Sequence, residues 1–342
     1  MPHPRTRGPR HDASIRDHAR GADALHGHEH GRRPRGDVKT TPSSEQRVAV
    51  ITALAANVAV AIAKFAAAAV TGSSALIAES LHSLADSVNE VLLLVGARRS
   101  RRPADLRHPF GYARYRYVYA FVVSLTVFWV GGVLALIQGV SRFSGHDSLG
   151  DPRWAYAVLG IAAGFEGWSL RTTLRTVGPA KGALTWWRLV QVTKAPEIIV
   201  VLLEDLGALV GIGIALIGVT LTALTGQREW DAIAAIAIGL LLMSIGLVVN
   251  RETQSLLIGE SAAVEVVDAI RQAIASTEGV EAVVDLRTIH VGPDDLVIAA
   301  GIVVSPSETA TGITRAIVDA EAGARSVAPY RTVIYLEPRL RS

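Results

Sequence analysis

The sequence predicts an α-helical membrane protein of about six transmembrane helices, followed by a small cytoplasmic α+β domain with the αββαβ order of a ferredoxin-like open sandwich. Three observations lead there. Half of the 342 residues are apolar and the mean hydropathy is +0.33, high for a soluble chain of this length. The apolar residues fall in blocks, and about 20 of them at 1.5 Å each are enough to cross a ~30 Å hydrocarbon core. After residue 250 the blocks give way to short runs with helical and strand periodicity.

Residues 1–46 form a polar N-terminal tail rich in Arg, His, Pro and Gly, with no apolar core of a secretory signal and too little to bury for a fold. It holds His3, His11, His18, His26, His28 and His30. Such a tract either collects metal loosely or is a solvated tail of biased composition, and both readings stay open.

Residues 47–250 carry the six expected spans: roughly 48–70, 75–95, 118–137, 154–170, 196–221 and 233–249. The first two are separated by Thr71-Gly72-Ser73-Ser74, short enough to force an antiparallel pair. Pro196 stands where span five begins, a position whose missing N–H costs nothing. The net charge of +3 and pI near 9.3 do not point to nucleic acid, because the basic residues lie in the tails and between the spans. Arg98, Arg99, Arg101, Arg102, Arg107, Arg114 and Arg116 follow span two, and Arg171, Arg175, Lys181, Arg188 and Lys194 follow span four. The other loops hold only Arg142, Arg153 and Arg228. By the positive-inside rule both termini lie on the cytoplasmic side of the bilayer.

Residues 251–342 form the cytoplasmic domain. A helix over 262–276 places Val264, Val267, Ile270 and Ile274 on one face. Strands over 280–291 and 296–305 are joined by the turn Gly292-Pro293-Asp294-Asp295, then a helix over 309–325 and a strand over 332–336. So small a core makes pairing with a second copy natural.

The chemistry sits inside the spans. Ionisable residues in a bilayer are costly and mark functional paths. In span two, Glu79, His82, Asp86 and Asn89 or Glu90 recur at intervals of three and four and share one helix face. An imidazole and a carboxylate one turn apart suit Zn²⁺, Mn²⁺, Fe²⁺ or Co²⁺. With no cysteine in the chain, a transition metal has no thiolate donor, and a site is expected to use His, Asp, Glu and backbone or Asn oxygens. The alternative is that His82 and Asp86 are interhelical hydrogen-bonding glue. Span five offers Glu204 and Asp205, whose side chains point about 100° apart, so only one is expected to face His82 and Asp86. Lys64, Glu166 and Glu197 read as ion-pair or relay elements, and Lys64, near a span end, equally as a snorkelling side chain.

The run from Ser74 to Asp86, with Glu79, Ser80, His82 and Ser83 in it, and the loop His108-Pro109-Phe110-Gly111-Tyr112-Ala113-Arg114 resemble the cation diffusion facilitators. So do Asn89, Arg101-Arg102-Pro103-Ala104, Gly131-Gly132, Glu204-Asp205 and Leu257-Ile258-Gly259-Glu260, over about residues 45–340 and closest to the branch of mitochondrial zinc transporters. The resemblance implies proton-coupled export of Zn²⁺ or a similar divalent ion by a homodimer, here in the plasma membrane of a bacterium. It implies no cofactor besides the transported ion, and alternating access through a metal site between spans two and five. His82, Asp86 and Asp205 match the family's ligands, whereas the fourth position is Val201, so Glu204, Asn89, a backbone oxygen or water is expected to complete the shell. His108, and the cluster of His290, Asp294 and Asp295, have both a metal-binding and a structural reading. A channel, an intramembrane metalloenzyme (though the chain has no HExxH pair) and a metal-sensing scaffold are the other classes left open.

Overall fold

The computed structural model describes residues 44–143, 151–181, 185 and 193–340; the histidines of the N-terminal tail and Arg188 lie outside the described residues. Six long helices dominate it: α1 (Ser44–Thr71), α2 (Ser74–Arg99), α3 (Tyr115–Arg142), α4 (Pro152–Lys181), α5 (Pro196–Thr225) and α6 (Glu229–Ile258). Local chemistry sets their ends. Ser73 caps α2 by accepting from the Leu76 amide at 3.1 Å. Pro196 takes the first turn of α5, and Gly226, at φ +72°, closes its last.

Among the described residues, three helices are long and apolar enough to cross a membrane: Tyr115–Arg142, Pro196–Thr225 and Glu229–Ile258. The expected spans two and four also form long helices, but their ionisable side chains dilute the apolar signal. Glu79, His82, Asp86 and Glu90 lie on α2, and Arg153, Glu166, Arg171 and Arg175 on α4. The packing is inverted relative to a water-soluble bundle. Ile62, Trp129, Ile161, Trp168, Ile217 and Leu247 are exposed, while Lys64, Glu79 and His82 are buried. Apolar surroundings favour that arrangement.

Alanines such as Ala75, Ala135, Ala162, Ala215 and Ala235 make up much of the helical core, and small residues let backbones approach closely. The approach is tightest between α3 and α6. A Cβ at Gly132 would lie 2.8 Å from the Met243 nitrogen, and one at Gly239 would lie 2.7 Å from the Leu136 nitrogen. The same stretch of α3 contains a π-helical turn, Val127–Val133.

The C-terminal sheet domain consists of α7 (Val264–Ala275), β1 (Val280–Gly292), β2 (Asp295–Val304), α8 (Ala310–Val327) and β3 (Arg331–Arg339). The strand order is β1-β2-β3. β1 and β2 form an antiparallel hairpin with His290 opposite Leu296. β2 and β3 run parallel, with Ile298 opposite Ile334, and α8 supplies the crossover that parallel neighbours need. Ile270 and Ile274 of α7, Ala320 and Ala324 of α8, and Leu296 and Ile298 of β2 meet in one core.

Candidate metal site

The polar stripe of α2 faces inward. Glu79 and Asn89 are fully buried, His82 is 1% exposed and Asp86 19%. His82 Nδ1 and Asp86 Oδ1 stand 3.5 Å apart, one helical turn from each other. Both ring nitrogens of His82 and Asp86 Oδ1 are buried without a hydrogen bond. Burying such atoms unpaired costs about 1–3 kcal/mol each, so the facing pair of Nδ1 and Oδ1 favours a cation that both can hold.

α5 brings its two acids to different neighbours. Asn89 Nδ2 of α2 donates to Glu204 Oε1 at 2.6 Å, which puts Glu204 at the Asn89 end of the α2 stripe. Glu204, Glu166 and Glu79 are the acidic groups acting on Asp86, with Lys64 as the opposing cation. Asp205 turns to α4, where Ser169 Oγ donates to Oδ1 at 3.0 Å and Thr173 Oγ1 to Oδ2 at 2.9 Å. The angle of about 100° between successive helical residues accounts for the split. Among the described residues no three His, Asp or Glu side chains close on a single point, so this conformation pairs His82 with Asp86 while hydrogen bonds hold both α5 acids.

Lys64 does not snorkel. It is fully buried, and Nζ donates to Glu79 Oε2 at 3.1 Å and to Ser83 Oγ at 2.7 Å. Glu90 accepts from Asn57 Nδ2 of α1 at 3.1 Å. Glu197, in the first turn of α5, pairs with Arg116 at the start of α3. None of these pairings shows in the sequence, because each joins different helices. The one available hint was Glu166, Ser169 and Thr173 recurring at helical spacing on α4.

A cavity of about 300 Å³ opens at the other end of the helices, lined by Thr71, Ser73, Thr222, Arg228 and Asp231 among others. Asp231, in the first turn of α6, accepts from the Ser74 amide at 2.5 Å, from Ser74 Oγ at 2.6 Å and from Ser73 Oγ. A carboxylate at the N-terminus of α2 is electrostatically favourable and ties α6 to the α1–α2 turn.

The two further histidine candidates lie elsewhere. His108 is 45% exposed in the α2–α3 loop, and its amide donates to Asp105 Oδ1 at 2.6 Å. The Tyr112 hydroxyl and the loop amides bonded to Asp105 hold that carboxyl below its usual range. His290 is buried in the sheet domain with its ring edge-on to Tyr330, centroids 4.7 Å apart, and burial pushes its pKa down. Asp294 reaches Arg116 at 3.5 Å and Asp295 reaches Arg331 at 2.8 Å, so the acidic turn is engaged by arginines.

Comparison with known proteins places these residues in context. The family described as "Cation efflux transmembrane domain" matches residues 50–258. A mitochondrial proton-coupled zinc antiporter of Homo sapiens is 29% identical over 232 residues, covering 67% of this chain and 41% of that protein. Metal tolerance protein C4 of Arabidopsis thaliana is 28% identical over 247 residues, covering 72% of this chain and 54% of its own length. The putative transporter MamV of Paramagnetospirillum magneticum is 28% identical over 236 residues, 68% of this chain and 66% of that protein. The chain thus matches 41% of the length of the human relative.

Proposed function

From the premise that the chain belongs to the cation efflux family, whose transmembrane domain matches residues 50–258, we propose that it is a secondary-active transporter of divalent metal cations. In this reading it exports Zn²⁺, or a similar ion such as Mn²⁺, Fe²⁺ or Co²⁺, in exchange for protons. The observation that carries it is the buried pair of His82 Nδ1 and Asp86 Oδ1, 3.5 Å apart and without a hydrogen-bond partner. A neutral imidazole and a carboxylate in a water-poor helical core form a cation site, and one acid of α5 completes it, Glu204 from its place beside Asn89 or Asp205 after a turn of α5. The printed names of the relatives, a proton-coupled zinc antiporter among them, support the choice of ion and counter-ion.

Exchange follows from sharing one site. Metal binds only when the carboxylates are ionised and the imidazole is neutral, so loading with metal releases protons and reloading with protons releases metal. All six long helices span the bilayer in this reading, with both termini cytoplasmic, in a bacterial plasma membrane. The sheet domain of one copy pairs with that of a second to make a homodimer.

Flux of Zn²⁺, Mn²⁺, Fe²⁺ and Co²⁺ into proteoliposomes under an imposed pH gradient tests the proposal. The wild type should move metal in a pH-driven manner, and Asp86→Asn should reduce both flux and equilibrium Zn²⁺ affinity by about tenfold or more. Metal-dependent conductance without counter-movement of protons would indicate a channel. Zinc binding with no flux would indicate a sensing scaffold.

A further inference from the structure

The polar groups of α2 follow a fixed axial order. Starting from the Ser73 cap, Glu79 comes first, then His82 and Asp86, then Asn89, with Arg98 and Arg99 at the opposite end. Glu79 therefore lies about 4.5 Å along the axis from His82, on the side away from the arginines. α5 runs the opposite way and agrees: its Glu204 meets Asn89, while its Gly211 meets Glu79. The Lys64–Glu79 pair thus stands between the candidate ligands and the cavity bounded by Ser73 and Asp231.

Three helices close on this pair. Lys64 comes from α1 and Glu79 from α2, and both side chains are wholly buried. The α5 backbone comes so near at Gly211 that a Cβ there would collide with Glu79 Oε1. That oxygen has no hydrogen-bond partner, although its twin accepts from Lys64. A buried, unpartnered carboxylate oxygen is a ready position for a cation, and a fixed ammonium beside it excludes one, since like charges repel strongly where water is scarce.

We propose that Lys64 and Glu79 form the outer gate of the ion path, with the ammonium of Lys64 sealing it and Glu79 receiving the metal when Lys64 withdraws. The inference rests on the transport reading above. The gate adds a step after the His82–Asp86 site: metal displaces Lys64 from Glu79, passes to the Asp231 end, and the pair re-forms behind it.

The test separates binding from movement, using purified full-length protein with Zn²⁺ as the probe. In Glu79→Gln, calorimetric Zn²⁺ affinity should stay within about threefold of wild type, because His82 and Asp86 are intact. Flux into proteoliposomes should fall about tenfold or more. The double variant Lys64→Met/Glu79→Met fills the same space without charge, as buried ion pairs tolerate, and keeps the test decisive if Glu79→Gln does not fold. It should show the same split between held affinity and lost flux. Near wild-type flux from the folded double variant would show that the pair is only packing. A fall in affinity for Glu79→Gln as steep as that of Asp86→Asn would make Glu79 an ordinary ligand of the main site. Failure of the transport reading looks different, because then the wild type moves no Zn²⁺ and Asp86→Asn binds it as the wild type does.

Discussion

Glu204 and Asp205 are chain neighbours that hydrogen-bond to different helices, and their partners set what each can contribute. Glu204 meets Asn89 on the stripe that carries His82 and Asp86, while two hydroxyls of α4 hold Asp205. Glu204→Gln should therefore weaken Zn²⁺ binding about tenfold or more, and Asp205→Asn distinctly less, as read by calorimetry on detergent-solubilised protein. The reverse order would show that α5 turns to present the Asp205 face, the one shared with Val201, when metal binds. His290 gives a pH prediction. Burial holds its folded pKa below the ordinary 6.5, so the folded state favours the neutral ring and the unfolded chain takes the proton first. The stabilisation is fully present above about pH 6.5 and is lost as pH falls below it towards the folded pKa. Thermal unfolding of the full chain at about pH 7.5 and about pH 5.5 should show a drop that His290→Gln reduces. An equal drop in both proteins would remove His290 as its source.

At the scale of the element, close backbone approach decides which glycines matter. Gly239 of α6 faces the α3 backbone, with the Gly132 carbonyl oxygen 2.9 Å from where its Cβ would be. Backbone cannot swing aside as a side chain can, so Gly239→Ala should destabilise by roughly 1–3 kcal/mol, the usual cost of overpacking. Gly164 of α4 has nothing within 4 Å of its would-be Cβ, and there alanine should be neutral or stabilise the helix by about 0.5–1 kcal/mol. Thermal denaturation in one detergent compares the two, and equal effects would contradict the packing described. The strands and turns were the most legible elements. The strand-like run over 280–291 with the Gly292–Asp295 turn placed β1 within a residue of its observed end, because a hairpin turn is locally encoded. Lys64 was not legible. Its position near a span end fits snorkelling, and only the packing of α1 on α2 brings Glu79 and Ser83 to its ammonium.

Across the whole molecule, ion pairs tie helix ends to one another and, through Arg116 and Asp294, to the sheet domain. Arg116, at the start of α3, pairs with Glu197 in the first turn of α5 and reaches Asp294 in the β1–β2 turn at 3.5 Å. Lys194, just before α5, pairs with Glu260, just after α6. The sequence announced an arginine-rich loop and an acidic turn, but not that they meet, since 178 residues separate Arg116 from Asp294. α5 carries both acids of the candidate site, and its first turn is tied to the same arginine that touches the sheet domain. Arg116→Gln removes both contacts and leaves Glu197 without its partner. Asp294→Ala removes only a contact whose acid is 74% exposed, worth about 0–1 kcal/mol. Hydrogen exchange of the amides over residues 198–201, in the first turns of α5, should therefore accelerate markedly in Arg116→Gln and little in Asp294→Ala, while the amides over residues 292–295 should change little in both. Zn²⁺ affinity should stay within about threefold in both, because neither residue touches His82 or Asp86. If exchange at the start of α5 is unchanged by Arg116→Gln, the Glu197 pairing does not hold that end of the helix, and a marked acceleration in the turn with Asp294→Ala would show that the exposed contact counts for more than its exposure implies.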